Sequence, residues 1–253
     1  MIIIKSEKEI ALMREGGKIL AKIMHRLGEN VLPGQNTGAI NELARKLIFS
    51  AGGFPIFEGY GDKARPYPGA VCTSINNEIV HGIPQKERII HEGDLVKLDI
   101  GMKYKGMITD MARTYPAGAI SLEAQKLVAT TKEGLDEGIK IIKAGIKLND
   151  YGKTVEKYVK ARGFSVVREL VGHGVGRELH EDPCVPNYAS KTRAIILAEG
   201  MTLALEPMVN VGTRYIKLLE DGWTYATKDG KLSAHFEDTI VVRKNGAEIL
   251  TRI

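Results

Sequence analysis

The sequence has 253 residues, of which 43% are hydrophobic and 26% charged, and this composition is typical of a globular protein with a sizeable core. The formal net charge of +5 and the scattered basic residues argue against specific nucleic-acid binding. The two cysteines lack a CxxC spacing, no apolar run approaches the ~20 residues that cross a bilayer, and the N-terminus has no signal-peptide core, so we expect a cytoplasmic protein with reduced thiols and no membrane contact.

Two helices are predicted before the first strands. Ser6 and Glu9 form a capping box, and apolar residues at helical spacing continue to about Gly28. Thr37 is expected to cap a second helix. Residues 54–69 are rich in Gly, Pro and Tyr without a clear period, which predicts a loop able to reach over a site.

A hairpin over residues 95–115 is the central feature of the sequence. With the centre of its turn between Tyr104 and Lys105, Asp99 and Asp110 lie directly opposite each other. Like charges in that arrangement are destabilising, so a cation between the two carboxylates would explain them. The alternative is a different register with one aspartate facing solvent, and the hairpin alone does not separate the two.

A second round of similar elements follows the hairpin. Ser121 is expected to begin a long third helix, and Asn149 or Asp150 to cap a fourth. Residues 92–99 align without a gap on residues 199–206, each with a carboxylate six residues after a glycine. This internal duplication predicts a single domain over residues 1–253, built from two α/β halves about a pseudo-two-fold axis, roughly 6–116 and 121–245.

The second half supplies matching carboxylates. Glu206 corresponds to Asp99, and Glu237 opens an apolar strand much as Asp110 does. Each glutamate alone would be read as a surface strand residue, but the duplication places both at the junction of the two halves, opposite the aspartates.

Histidines complete the candidate chemistry. His173 lies between glycines and has nothing local to pack on, which favours a ligand role. His81 and His180 are open between a structural and a functional role, and His235, His25 and His91 are expected to be structural. Four carboxylates with one histidine suit a pair of divalent cations, which activate a water and clamp a hydrolytic displacement.

The sequence resembles the methionine aminopeptidase family over nearly its whole length. The resemblance rests on six motifs in the family's order: NNEIVHGIP (76–84), KLDIG (97–101), TDMARTY (109–115), GHGVGRELHEDP (172–183), LEPM (205–208) and HFEDTIVV (235–242). It implies the pita-bread fold, an α/β (α+β) architecture of two related halves with antiparallel sheets flanked by helices. It also implies two divalent cations (Co, Mn, Fe or Zn) held by Asp99, Asp110, His173, Glu206 and Glu237, with Asp110 and Glu237 bridging and Glu206 acting as general base.

The same resemblance implies a substrate site. His81 and His180 would contact the substrate and stabilise the tetrahedral intermediate. The methionine side chain would lie in a pocket formed by Tyr60, Tyr67, Cys72, Leu179 and Trp223, with His180 at its rim; the alternative for this set is ordinary core packing. Two departures from the family pattern concern the shape of the pocket: Phe57, where some members carry a small or thiol side chain, and the slightly long segment 61–65.

The function implied by the resemblance is removal of the initiator methionine from nascent polypeptides when the second residue is small. The sequence resembles the short first type of the family found in bacteria, for which we expect a monomer, with transient proximity to ribosomes as a further possibility. Two alternatives remain: a prolidase-like Xaa-Pro hydrolase, which shares fold and ligands but usually has a large N-terminal domain, and an inactive relative used as a binding module, which would have lost ligands.

Overall fold

The computed structural model describes residues 1–190 and 195–253. Four helices lie in this part of the chain: α1 (Glu7–Gly28), α2 (Thr37–Ser50), α3 (Leu122–Lys140) and α4 (Leu148–Lys160). Among them, none combines the length and the apolar character that a membrane crossing requires.

The helices of the first half begin close to the predicted positions. The capping box of α1 is present: Ser6 Oγ accepts the N–H of Glu9, and the Glu9 carboxylate accepts the N–H of Ser6. Helix α2 is capped by Asn36 rather than by Thr37, because Asn36 Oδ1 accepts a backbone N–H of the first turn at 2.8 Å. The Thr37 hydroxyl instead bonds with the backbone of Gln85, as donor and acceptor.

The second half shows one similar correction. Ser121 caps α3 as predicted, but α4 begins after Lys147, which makes no side-chain cap, and not after Asn149 or Asp150. Asn149 Oδ1 accepts the N–H of Ser190 at 2.8 Å, and the Asp150 carboxylate pairs with the lysine three residues later. Both side chains therefore have partners outside the cap.

The strands of the described residues form one large sheet and two small ones. They are β1 (Phe54–Pro55), β2 (Cys72–Ile75), β3 (Glu78–Val80), β4 (Leu95–Tyr104), β5 (Met107–Pro116), β6 (Ser165–Val166), β7 (Gly172–Gly174), β8 (Glu181–Val185), β9 (Thr202–Leu205), β10 (Met208–Asn210), β11 (Ile216–Leu218), β12 (Tyr225–Thr227), β13 (Ser233–His235), β14 (Glu237–Arg243) and β15 (Gly246–Ile249). The large sheet runs β1-β4-β5-β14-β9-β7-β8, with β2 also on β4 and β15 also on β14. The small sheets are β13-β10-β6 and β11-β12-β3.

The turn of the central hairpin lies one position later than predicted. Tyr104 pairs with Met107, and the two residues between them, Lys105 and Gly106, have φ angles of 47° and 88°. Positive φ at both central residues is the geometry of a type I′ turn, whose twist matches that of the flanking strands.

This turn changes the relation of the two aspartates. Asp99 lies opposite Ala112, and Asp110 lies opposite Gly101, so the prediction that the aspartates oppose each other directly was wrong. They are diagonal neighbours two positions apart on the same face of the hairpin, a spacing that longer side chains and a shared ligand can bridge.

The large sheet presents one face to the helices and the other to a cavity, because successive side chains along a strand alternate between faces. In β4 the even-numbered residues from Val96 to Met102 pack with α1 and α2, which directs Asp99 to the opposite face. In β14, Ile240 and Val242 pack in the core formed with α3 and α4. Glu237 therefore points to the same side of the sheet as Asp99.

Candidate metal centre

The predicted ligands come from five different strands that meet in the large sheet. They are Asp99 (β4), Asp110 (β5), His173 (β7), Glu206 (directly after β9) and Glu237 (first residue of β14). The pairing accounts for their convergence, since Asp99 and Glu237 both lie opposite Ala112 of β5, one from each side. His173 pairs with Ala204, two residues before Glu206.

Three of the carboxylates are buried with oxygen atoms that have no partner among the described residues. Asp99, Asp110 and Glu237 are 7%, 4% and 2% exposed, and in each of them one buried oxygen accepts no hydrogen bond. Buried charges are normally paired or metal-bound, because removing them from water is unfavourable. The orphaned oxygens therefore indicate a ligand that carries positive charge.

The pKa values of these carboxyl groups are raised for the same reason. Burial raises the pKa of Asp99 well above its usual range, and the nearby charge of Asp110 adds to the effect. Burial raises the pKa of Asp110 to about 7. The pKa values of Glu206 and Glu237 are also raised well above the usual range, first by burial and then by neighbouring carboxylates. A bound cation would reverse this balance by favouring the ionised forms.

His173 is oriented as a ligand. Its Nδ1 lies 2.9 Å from the carbonyl oxygen of Gly174, and Nε2 lies 3.5 Å from Glu206 Oε1. Burial, followed by the nearby His180, lowers the pKa of His173 to about 4, so the ring is neutral near pH 7. With the proton on Nδ1 held by a backbone carbonyl, the lone pair of Nε2 faces the carboxylates, the arrangement typical of metal-binding histidines.

These observations fit a divalent cation. Potential ligand atoms of Asp110, His173 and Glu237 all lie within 4.8 Å of one another. Carboxylate oxygens with an imidazole nitrogen suit Mn, Fe, Co and Zn, with the carboxylates favouring the harder ions.

The predicted substrate residues line the same cavity as the carboxylates. The cavity has a volume of about 80 Å³ and is lined by Phe57, Tyr60, Tyr67, Cys72, His81, Asp99, Asp110, His173, Leu179, His180, Glu206, Trp223 and Glu237. At its rim the Tyr60 hydroxyl lies 2.5 Å from His180 Nδ1, and the rings of His180 and His173 are 4.4 Å apart. The apolar wall includes an edge-to-face contact between Tyr67 and Trp223, with ring centroids 5.3 Å apart.

His81 enters the cavity from a strained backbone. Its φ of 60° lies in the left-handed region, which non-glycine residues rarely adopt and which is often associated with functional positions. The Tyr67 hydroxyl donates to the carbonyl oxygen of Gly82 at 2.8 Å, next to this position. Burial lowers the pKa of His81 to about 4.

Of the two departures from the family pattern, Phe57 lies in the cavity wall and the segment 61–65 lies beside Trp223. Phe57 is 8% exposed and adds an aromatic surface to the cavity wall. In the segment 61–65, Gly61 lies against the Trp223 ring, where an added Cβ would be only 2.5 Å from Cη2. Gly61 therefore packs against the tryptophan edge, while residues 61–65 are not among those that line the cavity.

A further histidine lies beside the site. His235, expected to be structural, is 1% exposed, and its Nε2 lies 3.6 Å from Glu206 Oε2. Within residues 1–190 and 195–253, neither ring nitrogen has a hydrogen-bond partner. The only available signal was its position two residues before Glu237.

Comparisons with known proteins agree with this geometry. Residues 11–244 match Metallopeptidase family M24. A methionine aminopeptidase of Clostridium acetobutylicum is 45% identical over 251 residues, which cover 99% of each chain. The solved structure of a methionine aminopeptidase from Thermotoga maritima covers 100% of both chains, with a TM-score of 0.96 and 43% identity. The chain thus belongs to Metallopeptidase family M24.

The likeness also confirms the predicted pita-bread fold. A more distant structure, an Xaa-Pro dipeptidase from Bacillus anthracis, has a TM-score of 0.76 and is 22% identical. The match covers 99% of this chain but only 62% of the dipeptidase chain. At that identity the likeness extends to the fold alone.

Proposed function

We propose that this chain is a methionine aminopeptidase that removes the initiator methionine from nascent polypeptides when the second residue is small. The observation that carries the proposal is a single cavity in which buried, partnerless carboxylates meet an apolar, aromatic wall. The likeness to methionine aminopeptidases over the full chain supports this substrate over an Xaa-Pro peptide. The intact set of predicted ligands argues against an inactive binding module.

The proposed centre holds two divalent cations, of Co, Mn, Fe or Zn, on Asp99, Asp110, His173, Glu206 and Glu237. Asp110, His173 and Glu237 would hold a cation together, since potential ligand atoms of all three lie within 4.8 Å of one another. When bound, such cations lower the pKa of water and polarise the scissile carbonyl.

Glu206 is the proposed general base. Its side chain is 13% exposed, so it is in contact with the open part of the cavity while remaining largely desolvated. A bound cation would favour the ionised form of Glu206, which is the form that accepts a proton from water. Proton transfer from water to Glu206 and on to the leaving amine would complete hydrolysis.

His81 and His180 are proposed to bind the substrate around the scissile bond. Both pKa values are lowered by burial, so the rings are neutral near pH 7 and each carries one N–H. A positioned donor of this kind stabilises the negative charge that develops on the carbonyl oxygen. The contact between Tyr60 and His180 limits the orientations of the His180 ring.

The methionine side chain is proposed to occupy the apolar end of the cavity. Tyr67, Cys72 and Leu179 are buried there, and Trp223 and Phe57 complete the wall. The wall and the carboxylates line one cavity, and the likeness to methionine aminopeptidases supports selection of a small second residue. We also propose a cytoplasmic monomer that works in transient proximity to ribosomes.

The two halves of the sequence are proposed to be related structural units of one catalytic domain. In support, the aligned Gly93 and Gly200 both have positive φ, of 90° and 84°. Each precedes by six residues a carboxylate of the proposed centre, Asp99 and Glu206.

The test is release of free methionine from a Met-Ala-Ser peptide, after chelation and again after addition of Mn²⁺, Fe²⁺, Co²⁺ or Zn²⁺ in turn. We expect release only with metal, and much slower release from a Met-Leu peptide of the same length. Comparable cleavage of the two peptides would contradict the proposed specificity. No release with any metal from folded protein would refute the proposed activity and make Xaa-Pro peptides the next substrates.

A further inference from the structure

The loop between β7 and β8, residues 175–180, carries two of the cavity residues. Leu179 contributes to the apolar wall, and His180 lies at the rim. Such a loop needs support from outside the cavity, because catalysis is sensitive to displacements of about 1 Å in substrate-binding groups.

The support comes from the segment that precedes α1. Lys5 Nζ donates to Glu181 Oε2, directly after His180 in the sequence. The side chains of Lys5 and Glu181 are only 1% and 3% exposed. The backbone of the segment is also fixed, since the N–H of Lys5 donates to the carbonyl oxygen of Gly200 at 2.9 Å.

Glu181 transmits this contact to the loop. Its second oxygen, Oε1, accepts the backbone N–H groups of Arg177 and Glu178 at 2.7 and 3.1 Å. One carboxylate therefore joins the Lys5 ammonium to two amides inside the loop. Bonds to a charged acceptor are stronger than those between neutral groups, which favours a single loop conformation.

The lysine stem also touches the loop backbone. Gly176 has a φ of 152°, and a Cβ at this position would lie 2.5 Å from Lys5 Cε. The loop passes this close to the lysine only because residue 176 has no side chain. On its other side, the carbonyl oxygen of Gly176 accepts the N–H of Ile108 at 2.6 Å, so the loop is clamped between Lys5 and β5.

We propose that Lys5 is a positioning residue for the active site: through Glu181 it holds loop 175–180, and with it His180 and Leu179, in the substrate-binding arrangement. The segment before α1 is then part of the support of the substrate pocket, although it touches no substrate. The inference rests on the proposed function in one respect, the role of His180 and Leu179 towards a peptide.

The experiment compares Lys5→Met with Lys8→Met, an exposed lysine in the first turn of α1. For Lys5→Met we expect kcat/KM on Met-Ala-Ser to fall on the order of 10- to 100-fold. The metal content of the variant should be unchanged, and the assay temperature is kept well below the melting temperature of the variant. Lys8→Met should match the wild type. The double variant Lys5→Met/Glu181→Gln removes the unpaired buried charge, so its melting temperature should recover while kcat/KM stays low.

A second measurement does not depend on activity. Amide hydrogen exchange followed by mass spectrometry should show residues 175–180 exchanging at least tenfold faster in Lys5→Met, and unchanged in Lys8→Met. Should Lys5→Met fail to fold, Glu181→Gln takes its place in both assays, because it also breaks the ion pair.

The outcomes separate the inference from the proposed function. Wild-type kcat/KM in Lys5→Met, or full recovery of activity together with stability in the double variant, would show that the pair only stabilises the fold and would overturn the inference. Unchanged loop exchange would overturn it even if the wild type hydrolysed no methionyl peptide. An inactive wild type with faster loop exchange in Lys5→Met would support the positioning of the loop and refute only the proposed activity.

Discussion

Replacing Asp110 by asparagine should stabilise the metal-free protein while removing a proposed bridging ligand. Asp110 is 4% exposed, its Oδ1 has no hydrogen-bond partner in the part of the chain that the structure describes, and burial raises its pKa to about 7. Asparagine has nearly the same shape and no charge, and the surrounding carboxylates can accept its N–H groups. The substitution thus removes an unfavourable buried charge without creating a cavity.

The magnitude follows from the pKa. Its rise from the ordinary value of 3.8 to about 7 corresponds to about 4 kcal/mol, since one pKa unit equals about 1.4 kcal/mol. The folded state binds the proton more tightly than the unfolded state. The stabilisation that the proton on Asp110 contributes is therefore fully present below pH 3.8 and is lost as the pH rises towards 7. The advantage of Asp110→Asn should be about 2 kcal/mol at pH 5 and about 4 kcal/mol at pH 8.

The assay is urea unfolding of the chelated wild type and variant at pH 5 and pH 8. Asp150→Asn is the matched control, because the Asp150 side chain is 46% exposed and pairs with a surface lysine. The free energy of unfolding of Asp150→Asn, relative to that of the wild type, should not increase between pH 5 and pH 8. Added Mn²⁺ should raise the stability of the wild type more than that of Asp110→Asn, since binding to the folded state stabilises it. Equal stability of metal-free wild type and Asp110→Asn at pH 8 would refute the electrostatic reasoning.

Three further predictions concern the pocket and the core. Glu206→Gln should lower kcat by about 10²–10⁴ with an unchanged near-UV circular dichroism spectrum, and near-normal kcat would remove Glu206 from the role of base. Trp223 is the single tryptophan of the chain and lines the cavity, so L-methionine should change the tryptophan emission of the metal-loaded protein. An emission that does not respond at saturating methionine would contradict the assignment of the apolar pocket. Gly17→Ala should destabilise the protein by about 1–3 kcal/mol in urea unfolding, because its Cβ would lie 2.3 Å from the carbonyl oxygen of Leu250; wild-type stability would show that α1 can move away from the chain beyond β15.

Local sequence patterns determined much of this protein. Helical spacing and the capping box of Ser6 and Glu9 located α1, because capping and amphipathicity act within a few residues. The hairpin pattern placed Asp99 and Asp110 on one face, which they share in the structure, because a register shift of two residues leaves each side chain on the same face. The motifs together identified the family and its fold, and the residues they pointed to line one cavity.

Some local features depended on contacts that no short pattern contains. The turn of the central hairpin lies at Lys105 and Gly106, because backbone twist selected a tighter turn than the polar run suggested. Thr37 does not cap α2, because its hydroxyl bonds with the distant Gln85. Competition for a side chain by a residue far along the chain is decided only when the chain is folded.

Only the tertiary structure decided what surrounds the site. It brought His235 to 3.6 Å from Glu206 and buried Lys5 against Glu181, 176 residues away. A lysine before a helix and a histidine in a short strand carry no local sign of these neighbours. The energies that shift pKa values and hold a loop arise from desolvation and from charges across the fold. The sequence by itself therefore specified the candidate ligands, and the folded chain specified their electrostatics and support.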